Sequence, residues 1–318
     1  MFSWPTVHAQ RSTAPPWMRV LVTGLLFLGF VALQGAEAQQ PSFRSPEKAI
    51  EALIRAVRAG DTARLLSILG PGSQELVSSG DEVADQLVQR RFLTAYDEAR
   101  RIEKVGDTRA ILSVGHDDWA FPIPLVKKAA KWRFNMQEGK EEMLNRRIGQ
   151  HEVSAIQVCL AYVDAQREYA LQDQDHNGVL EYAQKFFSER GKRDGLYWET
   201  GPGEEPSPLG PRVAEANAEG YVFSPSAAKP IPYHGYYYRI LKAQGKDAHG
   251  GAYAYVVGDN MSGGFALVAF PAQYSVSGVM TFIVNHDGVV YHKDLGRDTE
   301  AIAQQITEFN PDHTWKRE

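Results

Sequence analysis

From residue 45 onward, apolar and polar positions follow the period of an α-helix. In "SPEKAIEALIRAVRAGDTARLLSIL", Ala49, Leu53, Ile54 and Val57 fall on one side of a helix that Ser45 caps and Pro46 opens. Gly60 ends it, and Asp61 caps a second helix carrying Leu65, Leu66 and Leu69. Phe92, Tyr96 and Ala99 predict a third, from about Glu82 to Ile102. The period then shortens. "RAILSVG" and "KWRFNM" are rich in β-formers, whereas Pro122 and Pro124 in the intervening "AFPIPLVKK" argue against a central strand there. Helical spacing returns from about 151 to 171, where Val153, Ile156, Cys159, Leu160, Val163 and Ala170 mark a buried stripe. The last third reads as short strands, "YYYRILKAQ", "GAYAYVV", "GFALVAFPA", "GVMTFIVN" and "GVVYHKDLG", with turns at "GDNMSGG" and "NHDG". They predict an antiparallel meander, with "TEAIAQQITEF" as a terminal helix over one side.

These elements predict an α+β chain: N-terminal helices packed on a small antiparallel sheet, a central helix with an EF-hand-like acidic loop, and a C-terminal antiparallel β-meander with a terminal helix. The expected segments are a signal peptide at 1–38, an α+β domain at 39–150, a helix, acidic loop and helix at 151–198, a proline-rich connection at 199–232 and an antiparallel β domain at 233–318. The connection carries seven of the chain's 17 prolines, interrupted by the helix-forming "VAEANA". Aromatics in "EGYVF" and "PIPYHGYYYR" need burial, so it is expected to drape over the surface.

The first 38 residues are set apart by their own pattern. Arg11 and Arg19 precede the apolar run "VLVTGLLFLGFVAL", and "AEA" at 36–38 offers a cleavage site before Gln39. The run spans 14 residues, short for a bilayer crossing, so the chain is expected to be cut after Ala38 and exported to the periplasm or beyond, with no stable membrane insertion. Removing the leader changes the formal charge from -5 to -6. That mild acidity, with scattered cations, argues against nucleic acid as a partner. Cys159 is the single cysteine, so no internal disulfide forms and the core must supply stability. Its place on the apolar stripe predicts a buried thiol rather than a nucleophile.

One loop carries candidate chemistry. In "LQDQDHNGVLEYAQKFF" the calcium-loop template places side-chain oxygens at Asp173, Asp175, Asn177, Glu181 and Gln184, a bend at Gly178 and a backbone carbonyl at Val179. Leu180 takes the apolar position, and a helix is expected from Glu181 onward. Gln184 stands where a bidentate glutamate belongs, which predicts weak calcium binding, or an acidic turn without metal. No other cofactor is expected. "HEVSA" at 151 starts like a zinc-protease helix, but Ala155 replaces the second histidine. No G-x-S-x-G elbow, phosphate-binding loop or C-x-x-C occurs. His234, His286 and His292, with Asp287 and Asp294 nearby, form an acid–base set only if the fold gathers them. "YHGYYYR" admits a sugar- or peptide-binding surface, or alternate burial in a sheet.

The phrases "SPEKAIEALIRAVRAGD", "LVSSGDEVAD", "DDWAFPIPLVKK", "NRRIGQHE", "AIQVCLAYVDAQREYA", "EYAQKFFSERGKRDGLYW", "PYHGYYYRIL", "GGFALVAFPA", "SGVMTFIVNHDGVVYHKDLG" and "FNPDHTW" resemble the bacterial exported family catalogued as domain of unknown function 2950, over residues 43 to 315. The resemblance implies an exported bacterial protein and no assigned activity. In that family the acidic loop resembles "D-x-D-G-D-G"; here His176 replaces the inner glycine and Asn177 the last aspartate. The order of elements in the N-terminal half is similar to cystatin-like and nuclear-transport-factor-like domains. Two functions are therefore expected as alternatives. One is a non-enzymatic envelope protein binding a partner or polymer through its β-rich half, with the acidic loop as a weak metal brace. The other is a periplasmic hydrolase with a His/Asp site in a cleft between the halves.

Overall fold

The computed structural model describes residues 40–223 and 230–318, so the expected leader and its cleavage site lie outside the described residues. Residues 40–318 form one compact unit. Helix α1 (Pro46–Arg58) starts as its sequence dictates: the Ser45 hydroxyl accepts from the N–H of Lys48 at 3.4 Å, and Ala49, Ile50, Leu53, Ile54 and Val57 are buried. Asp61 caps α2 (Thr62–Leu69) through Arg64, and a short α3 (Gln74–Val77) follows. Helix α4 (Glu82–Glu98) ends before Ile102 because Ala99 is already extended and Arg100–Val105 forms strand β1.

β1 pairs antiparallel with β2 (Arg109–Val114). β3 (Trp119–Ala120) and β4 (Leu125–Lys128) pair with opposite ends of β2, and β5 (Lys131–Phe134) closes the sheet on β4. Contrary to the sequence expectation, β4 is internal, in the order β1-β2-β4-β5. Pro122 and Pro124 are tolerated because they occupy the gap between β3 and β4, where no ladder bond requires their missing N–H. The sheet and α1–α3 enclose one core, which includes Ile50, Leu53, Ile68, Leu112, Leu125 and Phe134.

Helix α5 (Met136–Tyr169) is 34 residues long and runs uninterrupted past residue 150, starting well before the expected 151. Its first turns serve the N-terminal core through Met136, Met143 and Leu144. Its later turns serve a second core through Ala155, Cys159, Tyr162 and Val163. The buried stripe differs from the sequence reading: Val153 is 56% and Leu160 42% exposed, while His151 and Ala155 face inward. Polar clamps fix the helix to both halves. The Arg147 guanidinium donates to the carbonyls of Glu75, at 2.6 Å, and Leu76. Glu152 Oε1 accepts from the N–H groups of Val279 and Met280, both at 2.9 Å.

Beyond α6 (Gly210–Glu219), strand β6 (Tyr236–Leu241) leads to a small ribbon of β7 (Ala243–Gln244) and β8 (Tyr253–Ala254). β9 (Ala266–Pro271), β10 (Met280–Asn285), β11 (Val290–Asp294), α7 (Thr299–Gln305) and β12 (Lys316–Arg317) complete the chain. The antiparallel order β12-β11-β10-β9-β6 is the expected meander with one change. "GAYAYVV" stays outside it, because Tyr255 alone turns into the core and a tight turn between Val257 and Asn260 follows at once. Among the described residues, no helix is long and apolar enough to cross a membrane.

Candidate functional site

Helices α4, α5 and α6 and strand β6 surround a cleft of about 1030 Å³. Leu87 and Val88 of α4, Val153 and Ala161 of α5, Val213 of α6 and Tyr233, Tyr237 and Tyr238 contribute apolar and aromatic groups to its wall. Val88 is 49% exposed, so with Val153 the chain leaves two valines open to solvent at one site. Both valines lie in the concavity, so its wall is apolar on the α4 and α5 sides.

Two of the lining segments are tied together by Asp81, which is 1% exposed and itself stands outside the lining. Its Oδ1 accepts from the N–H of Ala84 at 3.0 Å, capping α4. Its Oδ2 accepts from the Tyr221 hydroxyl at 3.0 Å and from the N–H of Gly235 at 2.8 Å. The Tyr221 oxygen in turn accepts from the N–H of His234 at 3.2 Å. Burial, with the nearby Asp81 charge, pushes the Tyr221 phenol far above its usual range, so it stays a neutral donor. Nε2 of His234 stands 3.2 Å from Oε2 of Glu219 at the end of α6. His234 adopts φ 50 and Gly235 φ 76; a Cβ at Gly235 would collide with the His151 ring, so the glycine permits that close approach. His151 Nδ1 lies 2.9 Å from the carbonyl of Ser277 and must therefore carry the proton. Burial is the largest cause lowering the His151 pKa, so the ring is neutral at pH 7.

The three histidines singled out in the sequence are not brought together, and each meets a different carboxylate. His234 meets Glu219, His286 lies 3.9 Å from Asp287, and His292 lies 2.7 Å from Glu318. Asp294 receives the Tyr274 hydroxyl at 3.3 Å. His151 and Glu219, which line the cleft, and Asp81 and Tyr221, which tie its lining segments together, were not legible as a site. Cys159 is buried as expected, and burial raises its thiol to about 12.

The acidic loop does draw its donors together, around an amide. Asp173 accepts from the N–H groups of Asn177, at 3.1 Å, and Gly178, at 2.9 Å, and these bonds hold its carboxyl below the usual range. The Asn177 side-chain nitrogen donates to Asp175 at 3.1 Å and to Glu181 at 2.9 Å, while its oxygen accepts from the N–H of Val179. Glu181 also accepts from the N–H of Met261 at 2.9 Å. Gln184 is turned away, donating to the carbonyl of Asp259 and accepting from Lys242. Two expectations fail here. No helix follows at 181–187, because the backbone of Tyr182 bonds Met261 and that of Ala183 bonds the Gln166 side chain. Leu180 is 60% exposed rather than packed. Among the described residues no three His, Cys, Asp or Glu side chains are grouped as a ready metal site.

The fold and site define an α+β protein with an aromatic cleft of about 1030 Å³. The chain belongs to the family described as "Protein of unknown function (DUF2950)", whose model matches residues 40–317. No curated protein and no solved structure matches it.

Proposed function

We propose that this is an exported envelope protein that binds its ligand without transforming it, in the cleft between α4, α5, α6 and β6. The observation that carries the reading is the cleft itself, about 1030 Å³ with exposed Val88 and Val153 on its walls. The charged start, the apolar run and "AEA" support export. Two polar groups at or behind the wall already have partners. The Ser154 hydroxyl donates back to the carbonyl of Gln150 at 2.9 Å, and Asp81 accepts three internal bonds. Periplasmic hydrolysis is the second reading, and the Glu219–His234 pair is what favours it.

The acidic loop belongs to this reading as a weak calcium brace. Asp173, Asp175, Asn177, Glu181 and the carbonyl of Val179 would hold the ion once the Asn177 amide turned its oxygen inward, and Gln184 would take no part.

Titration with an anilinonaphthalene sulfonate dye tests the cleft. The wild type is expected to bind the dye saturably, and Val153→Glu to weaken binding at least about tenfold by placing a charge on an apolar wall. Equal binding by both proteins would refute the cleft as the site. Hydrolysis of a generic ester or peptide that is lost in His234→Gln would instead favour the second reading.

A further inference from the structure

Strand β6 is the end strand of its sheet, in the order β12-β11-β10-β9-β6. It pairs with β9 from Tyr236 opposite Pro271 to Leu241 opposite Ala266. The N–H of Ala272 donates to the carbonyl of Gly235, so Gly235 turns its carbonyl toward β9. Tyr236 exchanges both backbone bonds with Tyr233 on the other side. Alternation along an antiparallel ladder then directs the backbone of Tyr237 and Arg239 to β9, and the N–H and C=O of Tyr238 and Ile240 to the free edge. Among the described residues no backbone bond reaches Tyr238 or Ile240 from that edge. The pairing started by Tyr233 and Tyr236 is not continued, since Ile231, next in register, is unbonded to Tyr238 and 43% exposed.

At Tyr238 the free edge faces the cleft, and Ile240 continues that edge just beyond the lining. Tyr237 and Tyr238 are consecutive on a strand and point to opposite faces of the sheet, yet both line the same cavity. A cavity touches both only by wrapping around the strand's edge. The cleft therefore combines apolar and aromatic walls with a strand edge whose backbone N–H and C=O at Tyr238 meet no backbone partner among the described residues. Its charged side chains are few and of both signs: Arg212 pairs with Glu215 at 3.0 Å, Glu219 lies 3.2 Å from His234, and Arg91 adds one further cation, so the wall is chiefly apolar and selects an occupant mainly by its apolar groups. An occupant that offers alternating backbone N–H and C=O groups together with apolar side chains is an extended polypeptide segment.

We propose that the cleft receives a peptide in extended conformation, which adds a strand to the free edge of β6 at Tyr238 and Ile240. This rests on the binding reading above and names its ligand class. Main-chain bonds to Tyr238 and Ile240 supply the register, and the walls formed by Val88, Val153 and Tyr237 select apolar side chains at alternate positions.

The test selects a phage-displayed library of random heptapeptides on the full chain, then synthesises the enriched sequences with and without methyl groups on alternate backbone nitrogens. Enriched peptides are expected to alternate apolar residues. Methylation of the nitrogens facing the strand should weaken them at least about tenfold, as loss of one or two backbone bonds requires. Ile240→Pro removes only an outward N–H, so it should weaken the peptides similarly while leaving dye binding intact. Methylated peptides that bind as well as unmodified ones would overturn the strand-addition geometry. Failure to enrich any peptide while the dye still binds would overturn the peptide proposal and leave the cleft reading standing. Loss of dye and peptide binding together would defeat both.

Discussion

Tyr221 reaches across 140 positions of sequence to place its hydroxyl 3.0 Å from Oδ2 of Asp81, in contact with the oxygen that also takes the N–H of Gly235. One carboxylate thereby ties the start of α4, the segment after α6 and the approach to β6. Because Asp81 is buried, removing it strands three donors. Asp81→Ala is expected to lower stability by about 3 kcal/mol, and Tyr221→Phe by about 1 kcal/mol, in urea unfolding. The double variant should lose less than the sum, since both changes break the same bond. Strict additivity would show that the two groups act independently.

A second prediction concerns pH. His151 faces Arg147 on its own helix, Asp81, His234, and the carbonyl of Ser277. Burial lowers its pKa from the ordinary 6.5, so below pH 6.5 the unfolded chain takes up a proton that the folded chain refuses. Its contribution to stability is complete above 6.5 and falls as pH drops toward the folded value. His151→Asn keeps a donor for Ser277 and should flatten the decline in stability on acidification. An unchanged slope would contradict the assignment.

A third prediction concerns Gly139, whose conversion to alanine would favour a helix in isolation by up to about 1 kcal/mol. In α5 the added Cβ would come within 2.5 Å of the Pro122 carbonyl oxygen, part of rigid backbone between β3 and β4. Gly139→Ala is therefore expected to lower the urea midpoint, by about 1–3 kcal/mol in stability. A raised midpoint would show that this contact yields easily.

Calcium gives a fourth. If the loop holds it, millimolar calcium should stabilise the wild type by about 1.4 to 2.7 kcal/mol at ten to a hundred times the dissociation constant. Asp173→Ala should erase that gain. No calcium-dependent shift in melting temperature would leave the loop as a turn held by its own side chains.

What the sequence revealed and what it hid follow from the range of the interactions. The starts of α1 and α2 were legible because a cap and its N–H lie three residues apart. The continuous α5 was not, because its two halves face two different cores and no single apolar stripe runs its length. Val153 and Leu160 satisfy helical spacing as well as His151 and Ala155 do, and only the position of the meander decides which row is buried. The cleft was invisible for the same reason: Asp81, His151, Tyr221 and His234 carry no local motif and meet only through tertiary contacts. The spacing of the acidic loop was legible, but its exit helix was overruled by bonds to Gln166 and Met261.

Hydrogen exchange mass spectrometry with and without saturating anilinonaphthalene sulfonate dye tests the central claim, that the cleft is the binding site. Protection is expected along Ala84–Arg91 of α4, Gln150–Tyr162 of α5 and the approach to β6 at Tyr233–Tyr238, all of which contribute to the cleft wall. Protection confined to the acidic loop at Asp173–Gln184, or spread evenly over the surface, would contradict it.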